Sequence, residues 1–386
     1  MSEFRTIREL CSVVVDCPHS TPKWTANGKI VIRNKNIKHG KIDFSSPSYT
    51  DDEHFAQRIK RAKPQPGDII ITREAPIGDV GMIPENTECC LGQRMVLLRA
   101  NQSVCDNFYL LYSLQSLYVQ HQISWSEGTG TTVSNLRIPH LEQIQIPYLP
   151  LEQQAKISSV LRALEEKIEN NRRLNDNLQQ QAAALFSSLY DRTNTEVRFT
   201  DLIQTLGGGT PKTGENTYWN GNIAFFTPKD VGTPYTLITE KTITEEGLSH
   251  CNSRLYPVNT VFVTARGTVG KVGMSGVPMA MNQSCYALVG KETHQLLVYF
   301  YTLKAVDRLK HKASGAVFDA ITTRDFESEQ IMKLSDDDAK AFLCIAEPMF
   351  QKVLNNCIEN LRLSTLRDSL LPKLMSGEVD VSAVQL

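Results

Sequence analysis

The sequence lacks a long apolar run. No stretch approaches the ~20 consecutive apolar residues that cross a bilayer, and residues 1–5 do not begin a signal peptide. Its nine cysteines include no Cys-x-x-Cys pair, a pattern typical of reduced thiols rather than of a disulfide framework. We therefore expect a globular cytoplasmic protein with no membrane partner.

Sequence motifs for catalysis are also missing. There is no Gly-x-x-x-x-Gly-Lys-Ser/Thr phosphate loop; residues 267–271 (Gly-Thr-Val-Gly-Lys) resemble one loosely, and a β-turn explains them better. Residues 207–211 (Gly-Gly-Gly-Thr-Pro) are not a dinucleotide loop, and no Asn/Asp-Pro-Pro-Tyr run is present to hold a flipped base. The eight histidines show no metal-ligand spacing. These absences predict no catalytic residue and no metal site.

A strong excess of positive charge is absent as well. The net charge is −1, which argues against a strongly cationic stand-alone nucleic-acid binder. Local charge differs: residues 17–42 carry six lysines and arginines and no acid, and residues 304–312 carry four against one acid. Such patches suit phosphates, although solvated basic loops explain each patch about equally well.

A long internal repeat organises the chain. Ile69-Ile70-Ile71-Thr72 has its counterpart in Val261-Phe262-Val263-Thr264, 192 positions later, and the same offset holds through Met82 and Met274. Gln93 corresponds to Gln283 at an offset of 190. Because the period is half the chain, each copy is a whole domain with a connector. Two related domains suit a ligand with two related halves, and long DNA is the obvious case.

Each copy reads as strand-rich with one helix. The first contains the β-prone runs 30–32, 69–71 and 95–98 and a helical pattern over about 107–122. The second contains corresponding runs at 223–226, 261–263 and 286–289 and a helical pattern over about 294–312.

A heptad pattern separates the two copies. Pro150 in the first turn and the adjacent Glu152 favour a helix start. From there the seam positions are spaced alternately four and three residues apart, which predicts a left-handed coiled coil. About 40 residues give a helix of roughly 60 Å. Its seam residues are Ile157, Leu161, Leu164, Ile168, Asn171, Asn175, Leu178, Ala182, Leu185 and Leu189.

The C-terminal stretch is the expected partner of this helix. Ser335 followed by Asp338 indicates a helix start, and an apolar stripe runs from Phe342 to Leu370. We expect Pro348 to kink this helix and Pro372 to end or bend it. The alternative to an antiparallel pair is that each helix packs only on its own domain.

Several motifs together resemble the specificity subunit of type I restriction–modification enzymes. They are residues 208–212 (Gly-Gly-Thr-Pro-Lys), 264–270 (Thr-Ala-Arg-Gly-Thr-Val-Gly), 150–154 (Pro-Leu-Glu-Gln-Gln) with 168–174, and the C-terminal residues 366–378. The resemblance covers essentially the whole chain. The first copy departs from it at residues 18–22 and 72–78, which fits domains that read different sequences.

The resemblance implies an α+β fold with two similar mixed α/β target recognition domains, separated by two long antiparallel coiled-coil helices. We expect the domains at 1–146 and 193–331 and the helices at 147–192 and 332–386. Each domain would read one half of a bipartite, asymmetric site in double-stranded DNA. The helices would set the spacer and dock two methyltransferase (modification) subunits and, through them, restriction subunits. S-adenosylmethionine, ATP and Mg²⁺ would belong to those partners, with no cofactor in this chain.

Candidate DNA contacts follow from residue chemistry, because Arg or Lys reads guanine and Asn or Gln reads adenine. These residues flank predicted strand ends. Two pairs recur at equivalent places of the two copies, Lys35 with Lys229 and Gln93 with Gln283. For each residue, the alternative is an ordinary role in a turn or in the scaffold. In the first domain they are Arg33, Asn34, Lys35, Asn36, Arg73, Gln93 and Arg94. In the second they are Thr210, Lys212, Lys229, Asp230, Arg266, Asn282, Gln283 and Ser284.

Two other functions stay open at this point. One is a self-sufficient DNA methyltransferase or nuclease, for which Glu165-Glu166-Lys167 offers only an acid-x-Lys fragment on a predicted helix face. The other is a coiled-coil scaffold that does not touch DNA. The first requires catalysis by this chain alone, and the second requires the absence of any sequence preference.

Overall fold

The computed structural model describes residues 3–38, 40–125, 135–232, 234–312 and 320–381. The chain divides into a first unit, residues 1–166 with 363–386, and a second unit, residues 167–362. Each unit therefore holds a globular part and a portion of both helical stretches. The expected boundaries near 146, 192 and 331 treat those stretches as separate segments and stay predictions.

The first unit is built on a four-stranded antiparallel sheet in the order β2-β10-β7-β8, next to a three-stranded sheet β6-β3-β9 and the pair β1-β11. A short 3-10 helix at Asn34–Asn36 follows β3, and β4 pairs with β5. The elements are β1 (Glu3–Thr6), α1 (Ile7–Leu10), β2 (Cys11–Asp16), β3 (Lys29–Ile32), β4 (Ile37–Lys38), β5 (Lys41–Ile42), β6 (Ser48–Thr50), α2 (Asp52–Arg58), β7 (Ile69–Thr72), β8 (Val80–Met82), β9 (Cys89–Leu91), β10 (Met95–Ala100), α3 (Asn107–Gln115), α4 (Leu117–Trp125), α5 (Ile138–Gln143) and β11 (Gln145–Tyr148).

The second unit repeats this plan after the long helix α6 (Leu151–Tyr190) and before the long helix α11 (Asp336–Ser376). Its sheets run β13-β20-β17-β18-β15, β16-β14-β19 and β12-β21. The strand orders of the first unit's main sheet, three-stranded sheet and β1-β11 pair reappear, whereas the β4-β5 pair does not and β15 extends the main sheet. The elements are α7 (Phe199–Leu202), α8 (Glu245–Ser249), α9 (Gln295–Lys312), α10 (Thr323–Ser328), β12 (Glu196–Arg198), β13 (Ile203–Gly207), β14 (Trp219–Phe226), β15 (Tyr235–Thr236), β16 (Lys241–Ile243), β17 (Val261–Thr264), β18 (Val272–Ser275), β19 (Met279–Met281), β20 (Cys285–Gly290) and β21 (Gln330–Met332).

The apolar runs form strands because each main sheet is covered on both faces. Ile69 and Ile71 pack into one core with α3, whereas Ile70 points into a second core beside β3 and β9. In the second unit Val261 and Val263 pack with α9, and Phe262 faces the other way. Successive side chains of a strand point to opposite faces, so a strand buried on both faces reads as a continuous apolar run.

The helix expected over about 107–122 is two helices, α3 and α4, with a break at Ser116. Ser116 has an extended backbone with φ −64° and ψ 146°. Its hydroxyl donates to the carbonyl of Ser113 at 2.6 Å and accepts from the backbone N–H of Val119 at 3.4 Å. The serine ends one helix and starts the next, because its side chain competes with the helical hydrogen bonds. The matching α9 is continuous.

The helix α11 starts as predicted but continues past Pro372. The hydroxyl of Ser335 accepts from the backbone N–H of Asp338 at 3.1 Å, which caps the first turn. Pro348 lies within the helix, and Pro372 does not end it: the last residue is Ser376. The stop comes at Gly377, whose φ of +75° favours glycine and is typical of a helix end.

The two long helices run antiparallel in the second unit. The amide of Asn171 donates to Glu359 at 2.8 Å, and Asn356 donates to Asn175 at 2.7 Å. Rising numbers on α6 meet falling numbers on α11, which contradicts the alternative that each helix packs only on its own domain. Of the seam, Ile157, Leu161, Ile168, Asn171, Asn175, Ala182 and Leu189 are buried, and Leu164, Leu178 and Leu185 are half-buried.

Each unit also has its own anchor for these helices. In the first unit, Glu165 accepts from the hydroxyl of Tyr112 at 3.0 Å and forms an ion pair with Arg367 at 3.4 Å. In the second unit, Phe186 stacks against Phe300 at a centroid distance of 5.0 Å and is 1% exposed. Phe186 lies beside the predicted seam, at a position that the heptad pattern omits.

Among the helices of the described ranges, none has the length and apolar character that a membrane crossing requires.

Candidate nucleic-acid interface

The loop after β7 in the first unit and the loop after β17 in the second have the same backbone hydrogen bond. The N–H of Gly78 donates to the carbonyl of Thr72 at 2.9 Å, and the N–H of Gly270 donates to that of Thr264 at 2.8 Å. Both glycines have positive φ, 83° and 74°, which glycine adopts at little steric cost. Gly-Lys at 270–271 therefore lies in the loop that joins β17 to β18, and the first unit closes the loop between β7 and β8 in the same way with a different sequence.

A polar side chain, buried in the first unit and half-buried in the second, holds the loop after β3 and the loop after β14. Asn36 is 4% exposed, and its Oδ1 accepts from the backbone N–H of Arg33 at 3.0 Å. Its Nδ2 donates to the carbonyl of Asp43 at 2.9 Å. Asp230 occupies the equivalent place, and its Oδ2 accepts from the N–H of Thr227 at 2.8 Å. These two predicted contact residues are engaged by the backbone and position the loops.

A glutamine links two further loops in each unit. Gln93 donates to the hydroxyl of Thr21 at 3.2 Å and to the carbonyl of His19. In the second unit the hydroxyl of Thr210 donates to the side-chain oxygen of Gln283. Both threonines precede a proline, so the Thr-Pro loop is tied to the strand-end glutamine in both units. The recurrence of this residue pair marks a shared scaffold contact.

These contacts gather the predicted residues into one cluster of loops in each unit. We call residues 17–24, 33–36, 73–78 and 92–94 the first loop cluster, and residues 207–212, 227–232, 265–270 and 282–284 the second loop cluster. The N–H of Arg73 donates to the carbonyl of Arg94, and that of Ala265 to the carbonyl of Ser284, both at 2.8 Å. The sequence distributes these side chains from Arg33 to Arg94 in the first copy and from Thr210 to Ser284 in the second, and the fold brings them together.

Arg73 differs from the other predicted contacts, because its side chain is 11% exposed. Its Nη1 contacts both carboxylate oxygens of Asp16 at 2.9 Å. Its Nε donates to the carbonyl of Leu136 at 2.8 Å, and its Nη2 donates to Asn135 at 3.1 Å. A partly buried guanidinium with these partners belongs to the scaffold of the first loop cluster.

Two exposed cations of the first loop cluster have no carboxylate partner among the described residues. The guanidinium of Arg33 lies over the ring of Trp24, 5.0 Å from its centroid, and Trp24 is itself 44% exposed. Lys35 is exposed, and its Nζ reaches only the hydroxyl of Ser46 at 3.4 Å. The positive charge of these side chains is therefore available to an anion.

Glu74, which the sequence analysis did not select, contacts two predicted residues. Its backbone carbonyl accepts from the amide of Asn34 at 2.6 Å. Its carboxylate Oε2 lies 3.1 Å from Nε of Arg94, whose side chain is 57% exposed. The Oδ1 of Asn34 is buried and has no hydrogen-bond partner within the described residues. Glu74 thus joins the turn after β7 to the loops on either side.

The second loop cluster presents three exposed cations. The side chain of Lys212 is exposed, and its backbone carbonyl accepts from the indole of Trp219 at 3.2 Å. Lys229 is 80% exposed and lies 3.7 Å from Glu240. Arg266 is exposed, and its side chain makes no hydrogen bond or ion pair with any residue that the structure describes. These cations lack the tight carboxylate pairing that would neutralise them.

Asn282 and Ser284 shape the backbone of the same cluster. The Oδ1 of Asn282 accepts from the N–H of Ser284 at 3.0 Å. The carbonyl of Ser284 accepts from the N–H groups of Ala265 and Arg266 at 2.8 and 3.3 Å. Both side chains are half-buried, so they support the position from which Arg266 projects.

The basic patch at 304–312 serves the interior of the second unit instead. Glu329 is fully buried, and Nε of Arg308 lies 2.9 Å from its carboxylate. Lys312 pairs with the other carboxylate oxygen, and Lys304 lies over the ring of Tyr190 at 5.1 Å. Two of its four cations therefore neutralise a buried acid, which a solvated patch would not do.

Arg58 is a second residue that the sequence does not reveal. It is 5% exposed, and burial lowers the pKa of its guanidinium. Its side chain donates to the carbonyls of Leu91, Ser20 and Pro18 at 2.6, 2.8 and 3.1 Å. The helix α2 thereby holds residues 17–24, the first loop of the cluster, through Arg58.

In the described ranges, no group of three or more His, Cys, Asp or Glu side chains is placed to hold a metal ion.

Comparison with known proteins agrees with this architecture. A family profile described as "Type I restriction modification DNA specificity domain" matches residues 3–180 and 192–333. The chain is 23% identical to the type I restriction enzyme MjaIX specificity subunit of Methanocaldococcus jannaschii over 342 residues, which cover 82% of this chain and 78% of that relative. It is 28% identical to the HindI specificity subunit of Haemophilus influenzae over 185 residues, 46% of this chain and 40% of that relative.

A solved structure supports the fold. The type I restriction–modification S subunit from M. genitalium superposes with a TM-score of 0.60 at 18% identity, over 96% of this chain and 95% of that one. This likeness confirms the predicted α+β class with two related domains and long helices.

Proposed function

Because the chain belongs to the family of type I restriction–modification DNA specificity subunits, we propose that it reads a bipartite DNA site, one half with each loop cluster. The observation that carries this proposal is the duplicated cluster. The same backbone and side-chain contacts recur in both units. Lys35 recurs as Lys229, but other side chains of the clusters differ, as Glu74 and Arg266 or Arg94 and Ser284 do. A common scaffold with different exposed groups suits two half-sites of different sequence.

The predicted contacts divide by exposure into readers and positioning residues. Asn36, Arg73, Gln93 and Asp230 are committed to the scaffold and would act by holding the loops. Phosphate contacts position a protein on DNA, and base-edge contacts specify sequence. The proposed contacting residues are Arg33, Lys35 and Arg94 in the first unit, and Lys212, Lys229 and Arg266 in the second. Asn34, Thr210, Asn282, Gln283 and Ser284 bond to neighbouring loop residues and join the positioning residues.

The long helices have two proposed roles, to set the unread spacer and to dock two methyltransferase subunits. Specificity subunits of this family are generally non-catalytic and typically free of cofactors. We therefore assign adenine methylation, with S-adenosylmethionine, to the modification subunits. ATP and Mg²⁺ belong to restriction subunits joined through them. Deleting one heptad from each helix shortens it by about 10.5 Å, the length of about three base pairs. The spacer should change while both half-sites stay the same.

Exchange of one domain tests the proposal. The chain is co-expressed with its modification subunits in a host without adenine methylation, and methylated adenines are mapped across the genome. Exchanging residues 1–146 for those of a relative should change one half of the methylated site. The reciprocal exchange of residues 193–331 is the matched control and should change only the other half. A site that is unchanged, or changed in both halves, contradicts the proposal. Methylation by the purified chain alone would instead support a self-sufficient enzyme.

A further inference from the structure

Two positions meet at the same strand ends in both units. In the first unit they are 74, in the turn after β7, and 94, before β10. The repeat places 74 opposite 266 at an offset of 192, and 94 opposite 284 at an offset of 190. Hydrogen bonds of equal length, Arg73 to Arg94 and Ala265 to Ser284, join the two strand ends in each unit. Positions 74 and 94 are therefore neighbours, and so are 266 and 284.

Each unit places one arginine at this pair of positions, but on opposite strands. The first unit has Glu74 and Arg94, and the second has Arg266 and Ser284. Both arginines are exposed. Arg94 is paired with Glu74 through Nε at 3.1 Å, whereas Arg266 has no acid partner in the described ranges. Both units thus have a guanidinium at the same place in the fold, but in the first unit it comes from the residue before β10 and in the second from the loop after β17.

We propose that this pair of positions determines specificity in both units: Arg94 and Arg266 each read a guanine of their half-site, and Glu74 orients Arg94. The inference rests on the proposed function and names its reading residues. Guanine presents O6 and N7 in the major groove, and a guanidinium contacts both with two donors. The ion pair through Nε leaves both Nη groups of Arg94 for that contact. Glu74 is a positioning residue, because it acts through Arg94.

A surface ion pair alone would not support this reading, because most such pairs contribute little to stability. The first unit contains a comparison pair: Arg8 lies 3.1 Å from Glu142, with side chains 65% and 25% exposed. The values for Arg94 and Glu74 are 57% and 20%. Arg8 and Glu142 lie on α1 and α5, outside the first loop cluster. The comparison pair therefore matches in distance and exposure, is made through Nη1 instead of Nε, and differs in place, which makes Arg8→Ala the control.

The experiment measures base preference position by position. The chain is assembled with its modification subunits, and binding is measured to duplexes that carry each base substitution in the methylated site. Arg94→Ala should reduce the preference for guanine at one base pair of one half-site by roughly 5- to 150-fold. Arg266→Ala should do the same only in the other half-site, and Arg8→Ala should change neither. Arg94→Lys, which keeps the charge but loses the planar fork, should retain overall affinity and lose part of the preference.

A rescue separates reading from folding. Arg94→Ser alone should lose the guanine preference, and adding Glu74→Arg should restore it, because the double variant carries the residues of the second unit. Glu74→Gln should weaken the preference at the same base pair as Arg94→Ala. The proposal is overturned if Arg94→Ala weakens binding to all sequences equally, as a phosphate contact would, or if the double variant restores nothing. The exchange of residues 1–146, run in parallel, still changes one half-site in that case if the proposed function holds.

Discussion

The buried contact between Asn175 and Asn356 allows a quantitative test of the helix pair. Asn356 is 1% exposed and Asn175 is 6% exposed, and they share a hydrogen bond of 2.7 Å. Asn175→Leu leaves the amide of Asn356 buried without this partner, which costs about 1–3 kcal/mol. Asn356→Leu should cost a similar amount. The double variant removes both polar groups and should cost less than either single change, since an apolar pair of similar shape is nearly neutral.

The assay is urea denaturation of the full chain, with thermal unfolding as a second measurement. For a domain of 150–250 residues, 1 kcal/mol corresponds to about 2–4 °C in Tm, so each single variant should lose roughly 2–12 °C. Asn170→Leu is the matched control, because Asn170 is exposed on the same helix and should change the free energy of unfolding by less than about 0.5 kcal/mol. Additive losses in the double variant would refute the reasoning.

Three further predictions concern stability and reactivity. Arg58→Ala should lower the free energy of unfolding by about 3 kcal/mol or more, because buried carbonyls lose their donors; a change below about 1 kcal/mol in urea denaturation would contradict the buried role. The hydrogen bond from Asn171 lowers the pKa of Glu359 below its usual 4.5. A lowered pKa stabilises the fold above pH 4.5, and this contribution is lost as the pH falls through the folded value. Asn171→Ala should therefore flatten the acid side of a stability–pH curve, and an unchanged curve would argue against the contact. Burial raises the pKa of Cys90 to about 11, whereas Cys344 is exposed, so iodoacetamide near pH 8 should label Cys344 first by mass spectrometry; equal labelling would mean that Cys90 is accessible.

Much of the fold follows from patterns that depend on neighbours in the sequence. The run Ile69–Thr72 and its counterpart Val261–Thr264 form the predicted strands, because a strand buried on both faces needs continuous apolar residues. The heptad pattern predicts α6 and its polar seam positions. The break at Ser116 was missed, because its hydroxyl finds partners only in the folded turn.

The candidate site is predictable in location but not in the role of each side chain. The strand-end polar residues that the sequence predicts meet in space, since loops at one edge of a sheet lie together, and their contact with DNA stays a prediction. Whether such a residue faces outward depends on partners far along the chain. Asp16 engages Arg73, and Arg58 lies below a loop nearly 40 positions away. The recurrence of Gln93 as Gln283 accompanies a scaffold contact, whereas Lys35 recurs as Lys229 with both side chains exposed. Recurrence between the copies alone therefore does not separate the two roles.

Selection of bound DNA tests the central claim most directly. The chain, assembled with its modification subunits, is offered duplexes of random sequence, and the retained molecules are sequenced. Two different short motifs should be enriched at one fixed separation, and Arg266→Ala should relax only one of them. Enrichment of a single uninterrupted motif, or of no motif, would contradict the account that each loop cluster reads its own half of the site.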